Sequence, residues 1–305
     1  MELRHIRYFL MVAEERNFTR AAARLGIGQP PLSMQIRDLE RELNVSLFVR
    51  SRQGVELSEA GRAFYDAVRP MSNLAEVAIK AARRAEMGET GRLHLGFTGT
   101  AGVNPVVSAT INTFKHRFPE VDLTVTEANS SDLIAELEAK RLDVAFLRPA
   151  RHVPQSIALS YLLKEKLVLA LPGNHPLAGK RGKLDLHLLK SESFILTPVE
   201  VGASLREASL QACNDAGFDP VEGPEAPHIV SILTLVAAAL GVALVPESMM
   251  QFRLAGVCFK QVRPPAPVIG FAAAWNHSNR SRVVENFLSI AAIQSVSILS
   301  GNGES

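Results

Sequence analysis

The 305-residue sequence predicts three parts: a mainly helical N-terminal module of the winged helix-turn-helix kind, a long linker helix, and an α/β domain of two lobes. Three observations predict it. Residues 17–43 read as a short helix, a glycine turn and a second amphipathic helix. Residues 59–87 hold a heptad-like apolar repeat. From residue 92 onward, short apolar strands alternate with helices.

A first helix carries Leu3, Ile6, Phe9, Leu10 and Ala13 as its apolar stripe. The next is expected to begin at Thr19, whose hydroxyl can cap a first turn and which is also a candidate DNA contact. Ala22 and Leu25 face inward, and Gly26 permits a tight turn. The third helix places Pro30 and Pro31 in its first turn, where a missing amide proton does no harm. Leu32, Ile36, Leu39 and Leu43 form its buried stripe. The opposite face carries Pro30, Met34, Arg37 and Arg41, with Gln29 and Ser33 at its leading edge. Such a helix can enter a DNA major groove, with Gln29, Pro30, Pro31, Ser33 and Met34 near base edges and Arg37 near phosphates.

Helix–glycine–helix alone also fits an ordinary helical hairpin. Residues 47–58 favour the DNA reading, because two apolar runs flank a basic tip with a glycine, which suits a small β-wing. Arg50 and Arg52 would reach phosphates or a minor groove from there.

Ser58 can cap a long helix running to about Met87. Phe64, Val68, Met71, Ala75 and Ala78 follow at steps of four and three, continued by Ala82 and Ala85. A polar helix this long is marginal alone, so a partner helix is implied. Pro70 is expected to kink it. Residues 87–91, Met-Gly-Glu-Thr-Gly, read as a hinge.

Strands are expected over 92–97, 121–127 and 143–148, with helices between them, which implies a parallel sheet. Strands over 157–163, 167–172, 193–196 and 242–245, with a helix over 203–217, make a second set. A strand over 268–275 and a helix over 281–298 return to the first. Ligands of open α/β sheets bind outside the carboxyl ends of strands. Those ends nominate Thr98 and Thr100 in a glycine-containing turn, Asn129 and Ser130 at a helix start, and Arg148, a possible carboxylate clamp. Thr197, Gly202 and Ser204 would close from the second lobe, and Phe97 and Val201 would wall an apolar group. Hydroxyls, helix N-termini and one arginine together suggest a small organic anion.

The chain closely resembles the LysR-type transcriptional regulators. The likeness is carried by Met-Glu-Leu-Arg-His-Ile-Arg-Tyr-Phe at 1–9, Phe-Thr-Arg-Ala-Ala at 18–22, Gln-Pro-Pro-Leu-Ser at 29–33, Gln-Ile-Arg-Asp-Leu-Glu at 35–40, Leu-Phe-Val-Arg at 47–50 and Leu-Ser-Glu-Ala-Gly at 57–61. It extends to about residue 295. It departs at Gly28, where the family usually has serine, and at Met34, where it often has arginine. The resemblance implies domains at 1–58 (DNA-binding), 59–88 (linker and dimerisation), 91–161 with 267–296 (lobe I) and 162–266 (lobe II), the lobes forming a periplasmic-binding-protein-like effector domain. It implies antiparallel linker pairing in a dimer or dimer of dimers. The expected partners are an interrupted palindromic operator in double-stranded DNA, a small anionic effector and RNA polymerase. Ser130 and Thr100 match ligand-contacting hydroxyl positions of the family. Likeness over 1–38 and 96–104 is nearest to regulators of aromatic-acid catabolism. Activation with ligand is the family's commonest behaviour, and repression is frequent.

Composition excludes other classes. The net charge is only +2, and residues 1–58 hold nine basic and seven acidic side chains, so DNA binding must rest on placed arginines. Cys213 and Cys258 are isolated, and the eight histidines never reach metal-ligand spacing. No metal, no cofactor and no catalytic residue is expected. No apolar run approaches the ~18 residues of a membrane span, and the N-terminus is not an export signal, so a cytoplasmic protein is expected. A solute-binding module without gene control, or an α/β enzyme, are the alternatives. Residues 1–58 argue against the first, and the missing catalytic constellation against the second.

Overall fold

Asn17, rather than Thr19, starts the second helix. In the computed structural model, which describes residues 1–51, 54–201 and 203–301, the Asn17 carboxamide oxygen accepts from the Thr19 and Arg20 amides at 2.9 and 3.1 Å. Asparagine outranks threonine as a cap, and Thr19 lies exposed one turn inside.

The chain forms two compact units, one covering Met1–Arg84 and the other beginning at Ala85. The first holds α1 (Leu3–Glu15), α2 (Phe18–Leu25), α3 (Gln29–Leu43), the hairpin β1 (Phe48–Ser51) and β2 (Gly54–Leu57), and most of α4 (Glu59–Glu86). Its core joins Ile6 and Phe9 of α1, Ala21 and Ala22 of α2, and Leu32, Ile36 and Leu39 of α3. Gly26 closes α2 in the left-handed region at φ 68°. The Glu40 carboxylate accepts from the Leu47 and Phe48 amides and so fixes the entry into the hairpin. Ser58 caps α4 by accepting from the Gly61 amide at 2.9 Å. The helix runs continuously through Pro70.

The second unit holds β3 (Thr90–Phe97), α5 (Gly99–Gly102), α6 (Pro105–Arg117), β4 (Glu120–Glu127), α7 (Ser130–Glu138), β5 (Val144–Leu147), β6 (Ile157–Pro172), β7 (Ser193–Leu196), α8 (Ala203–Asp215), β8 (Val221–Glu225), α9 (Ile229–Ala237), β9 (Ala243–Pro246), β10 (Val257–Gln261), β11 (Val268–Asn276) and α10 (Arg282–Gly301). β3 pairs parallel with β4 and β5, as the alternation of strand and helix requires. β11 returns antiparallel to β5 and β6. The two strands expected over 157–163 and 167–172 are one strand, β6. Its first part pairs with β11 and its last part with β9 and β10. Lys164, Glu165 and Lys166, which fall between the two expected strands, alternate exposed, buried, exposed, which is strand period.

Two large buried clusters result among the described residues, and a smaller third that includes Leu133, Leu137 and Leu147. One large cluster is built around Leu93, Leu95, Phe114, Phe146, Phe271 and Phe287. The other large cluster is built around Leu169, Phe194, Ile232, Leu233 and Leu244. A cleft opens between the elements that carry these two.

Candidate functional site

The solvent face of α3 is laid out as its period requires. Gln29, Pro30, Pro31, Met34 and Arg37 are exposed, and Ser33 is half-buried. Gln29 Nε2 donates to Ser33 Oγ at 2.9 Å, which orients the amide along the leading edge. Gly28 caps the helix without a side-chain hydrogen bond. Pro30 and Pro31 remove two of the amides a polar cap would serve, so the glycine leaves little unsatisfied. Arg20 and Arg24 are tied to Glu15, and Arg41 to Asp38. Arg37 and Arg50 have no ion-pair partner among the described residues, so both remain available to a phosphate. Arg52 lies outside the described residues. Gly54, at φ 125°, lies against the α1–α2 corner: a Cβ there would stand 2.6 Å from the Arg16 carbonyl oxygen. The Val55 amide donates to that same oxygen.

Two residues expected in the dimer seam belong to this unit's own core. Val68 is buried there, and Phe64 packs edge-on against Phe9 at 4.9 Å between ring centroids. The first turns of α4 complete the N-terminal core, so its apolar residues there are already used. Farther along, Met71 and Ala78 are exposed and Ala75 is half-buried. Leu74, Val77 and Ile79 are exposed beside them.

In the second unit a cleft of about 640 Å³ is lined by Phe97, Thr98, Thr100, Asn129, Ser130, Arg148, Thr197, Val201 and Ser204 among others. Every nominated cleft residue is therefore brought together except Gly202, which lies outside the described residues. Their hydrogen bonding sorts them. Thr98 Oγ1 accepts from the Ala101 amide as the cap of α5 and lies 3.3 Å from Thr100 Oγ1. Thr100 Oγ1 also accepts from Arg148 Nε. Two hydroxyl protons serve one mutual bond, so one O–H is left over for the cleft. The hydroxyl of Ser130, at the start of α7, is without a hydrogen-bond partner among the described residues. Asn129 lines the cleft but is already committed, because its carboxamide is occupied at both ends by Asp132. Ser204 spends its proton on the Arg148 carbonyl at 2.9 Å and can only accept.

Arg148 is not the open clamp its position at a strand end suggested. Its side chain is 3% exposed, and Nη2 donates to Glu165 Oε2 at 2.6 Å. Glu165 also accepts from the Ser248 amide and the Asn104 carboxamide. Burial would raise the Glu165 pKa, but Arg148 and the Ser248 hydrogen bonds outweigh it and hold the carboxyl below its ordinary range. One nitrogen is left over. Nη1 is buried, has no hydrogen-bond partner among the described residues, and belongs to a residue that lines the cleft.

The sequence reading missed one wall: Glu127, Pro227, His228, Ile229, Val230 and Phe252. Ile229, Ile232, Leu233 and Val236 are spaced three, one and three apart, a signal for α9. His228 makes no side-chain cap bond, so the first amides of α9, whose residues His228, Ile229 and Val230 line the cleft, are unserved by a cap. Among the described residues, no group of three or more His, Cys, Asp or Glu side chains is placed to hold a metal, and no helix is long and apolar enough to cross a membrane.

Comparison with known proteins agrees with both halves. Residues 3–62 match the model of the bacterial regulatory helix-turn-helix protein, lysR family, and residues 87–294 match the LysR substrate binding domain. The HTH-type transcriptional regulator BudR of Raoultella terrigena is 37% identical over 288 residues, 94% of this chain and 99% of that protein. The crystal structure of CbnR, a LysR family transcriptional regulator, superposes with a TM-score of 0.80 at 26% identity, covering 95% of this chain and all of that one. Full-length CbnR complexed with its target DNA gives 0.76 at the same identity, covering 97% and 100%.

Proposed function

Because the chain belongs to the LysR family of DNA-binding transcriptional regulators, we propose that a small organic anion held in the cleft controls its activity at a promoter. One observation carries this reading: buried Arg148, whose Nη1 has no hydrogen-bond partner among the described residues, lines the cleft. Its positive charge favours an anion there, and a carboxylate oxygen admitted to Nη1 by a shift of the side chain would satisfy that nitrogen. The leftover hydroxyl proton of the Thr98–Thr100 pair, Ser130 and the uncapped start of α9 add donors suited to the same charge. Phe97, Val201, Ile229 and Phe252 provide apolar walls for the carbon skeleton, aromatic or aliphatic.

Two hydrogen bonds cross the cleft without any ligand: Ser204 to the Arg148 carbonyl, and Ser131 to the Glu200 carbonyl at 3.0 Å. An anion drawn in beside them shifts the population of lobe arrangements by its differential affinity for each. That shift reaches DNA through the oligomer, a dimer or dimer of dimers paired through Met71, Ala75 and Ala78. Gln29, Ser33 and Met34 read bases of an interrupted palindrome, while Arg37 and Arg50 hold phosphates. In this reading the regulator works in the cytoplasm with RNA polymerase at the promoter.

A thermal-shift screen of the full-length protein against small carboxylates tests it. A ligand that binds only the folded state raises the midpoint by mass action. We expect a hit that Thr100→Ala or Ser130→Ala removes. A hit unaffected by both would place the ligand elsewhere and overturn the reading.

A further inference from the structure

We propose that Met34 makes the second turn of α3 a reader of one chemical group, the 5-methyl of a thymine, so that each half-site of the operator must present a thymine there. This rests on the reading of α3 as the helix that enters the major groove. Met34 is 55% exposed, and among the described residues of α3 it is the only large apolar side chain left to solvent. It follows Pro30, also exposed, by four residues, so the two stand one above the other on the helix surface, about 5–6 Å apart at Cβ. Together they form an apolar ridge on the face that continues to Arg37.

The polar side chains around this ridge are drawn away from Met34. Gln29 and Ser33 are bonded to each other at 2.9 Å, at the leading edge of the helix. The Gln35 carboxamide oxygen meets His5 Nε2 at 3.1 Å, on the side of α1. Asp38 is paired with Arg41. Between the first turn and Arg37, the exposed face of α3 therefore offers a base pair only a thioether and its methylenes. A thioether donates no hydrogen bond and accepts weakly, so it cannot tell apart the donor and acceptor patterns of the groove. Among the groups that base pairs present there, the thymine methyl is the apolar one. Contact between that methyl and Met34 removes both from water.

The full-length protein tests this on a duplex that it selects from a random pool. The selected duplex is resynthesised with each thymine in turn replaced by deoxyuridine, which removes only the methyl. Affinity is read by fluorescence anisotropy at constant salt. At one thymine in each half-site the replacement should weaken binding about fourfold, the scale of one buried CH2 group. Met34→Ala should bind the thymine duplex weaker by the same factor and be indifferent to deoxyuridine at that position, because methyl and thioether are one interaction. Met34→Leu, which keeps an apolar tip, should keep the dependence. Met34 is exposed, so both variants should melt with the wild type, and a loss of affinity is then not a loss of fold. A duplex in which no thymine methyl matters, or a methyl dependence undiminished in Met34→Ala, overturns the role of Met34; α3 remains the reading helix if Gln29→Ala still relaxes specificity. No selected duplex, or specificity unaltered in both Met34→Ala and Gln29→Ala, overturns both.

Discussion

The guanidinium of Arg148 and the carboxylate of Glu165 meet at 2.6 Å with side-chain exposures of only 3% and 7%. They come from strands that β11 separates in the sheet, the end of β5 and the middle of β6. Ser248 and Asn104 complete the carboxylate's hydrogen bonds. Each ion is tolerated because the other is present, so removing one strands the other.

Glu165→Ala is therefore expected to destabilise the second unit by about 3–5 kcal/mol, the range for breaking a buried pair from one side. Urea unfolding with the m-value held constant checks it. A loss below about 1 kcal/mol would mean the guanidinium finds another acceptor or water.

The same carboxyl sets an acid limit. Its folded pKa is depressed below the unfolded value of about 4.3, so its contribution is complete above that value. The contribution fades as pH falls through the folded pKa. Stability measured from pH 7 down to pH 3 should drop more steeply in the wild type than in Glu165→Gln. Parallel curves would contradict the linkage.

At the α3 surface, base reading and phosphate holding are separable. Gln29→Ala should abolish discrimination among operator variants, by about 1–3 kcal/mol at the affected base pair, with folding intact. Arg37→Ala should weaken all sequences alike and reduce the salt slope by about one per protomer. Affinity measured across a salt series for both variants tells these apart. Unchanged specificity in Gln29→Ala would remove α3 as the reading helix.

Gly61 is a close approach, because a Cβ there would stand 2.0 Å from the Leu47 carbonyl oxygen and 3.2 Å from Leu57 Cδ2. Gly61→Ala must push α4 off the hairpin and should cost about 1–3 kcal/mol, as overpacking does. The melting of residues 1–84, followed within the full chain, is the measurement. An unshifted transition would show that the hairpin yields freely.

Burial pushes the Cys213 thiol up to about 12. In native protein at pH 8 it should resist alkylation, and it should react only after unfolding. Mass mapping of the labelled peptides decides the matter, and native labelling at Cys213 would contradict the packing.

Periodic features were legible in the sequence. The stripe of α3 and the ends of β3, β4 and β5 lie where spacing put them, because burial on one face imposes the period that the sequence displays. Partnerships were not legible. Nothing near Arg148 marks Glu165, seventeen residues on, as its counter-ion. Val68 and Phe64 fit a seam and a core equally well by spacing, and only the placement of Phe9 decides between them. Glu127 looked like the end of a strand, since only the parallel pairing with Phe97 carries it to the cleft.

The sixteen residues of β6 belong to both halves of the second unit, giving one edge to β11 and later edges to β9 and β10. Dissection is therefore barred. A fragment cut to carry either half alone would begin or end inside a ladder and expose unpaired backbone to aggregation. The two halves must be made, folded and inherited together, and swapping one between relatives would require splicing within a single strand in register.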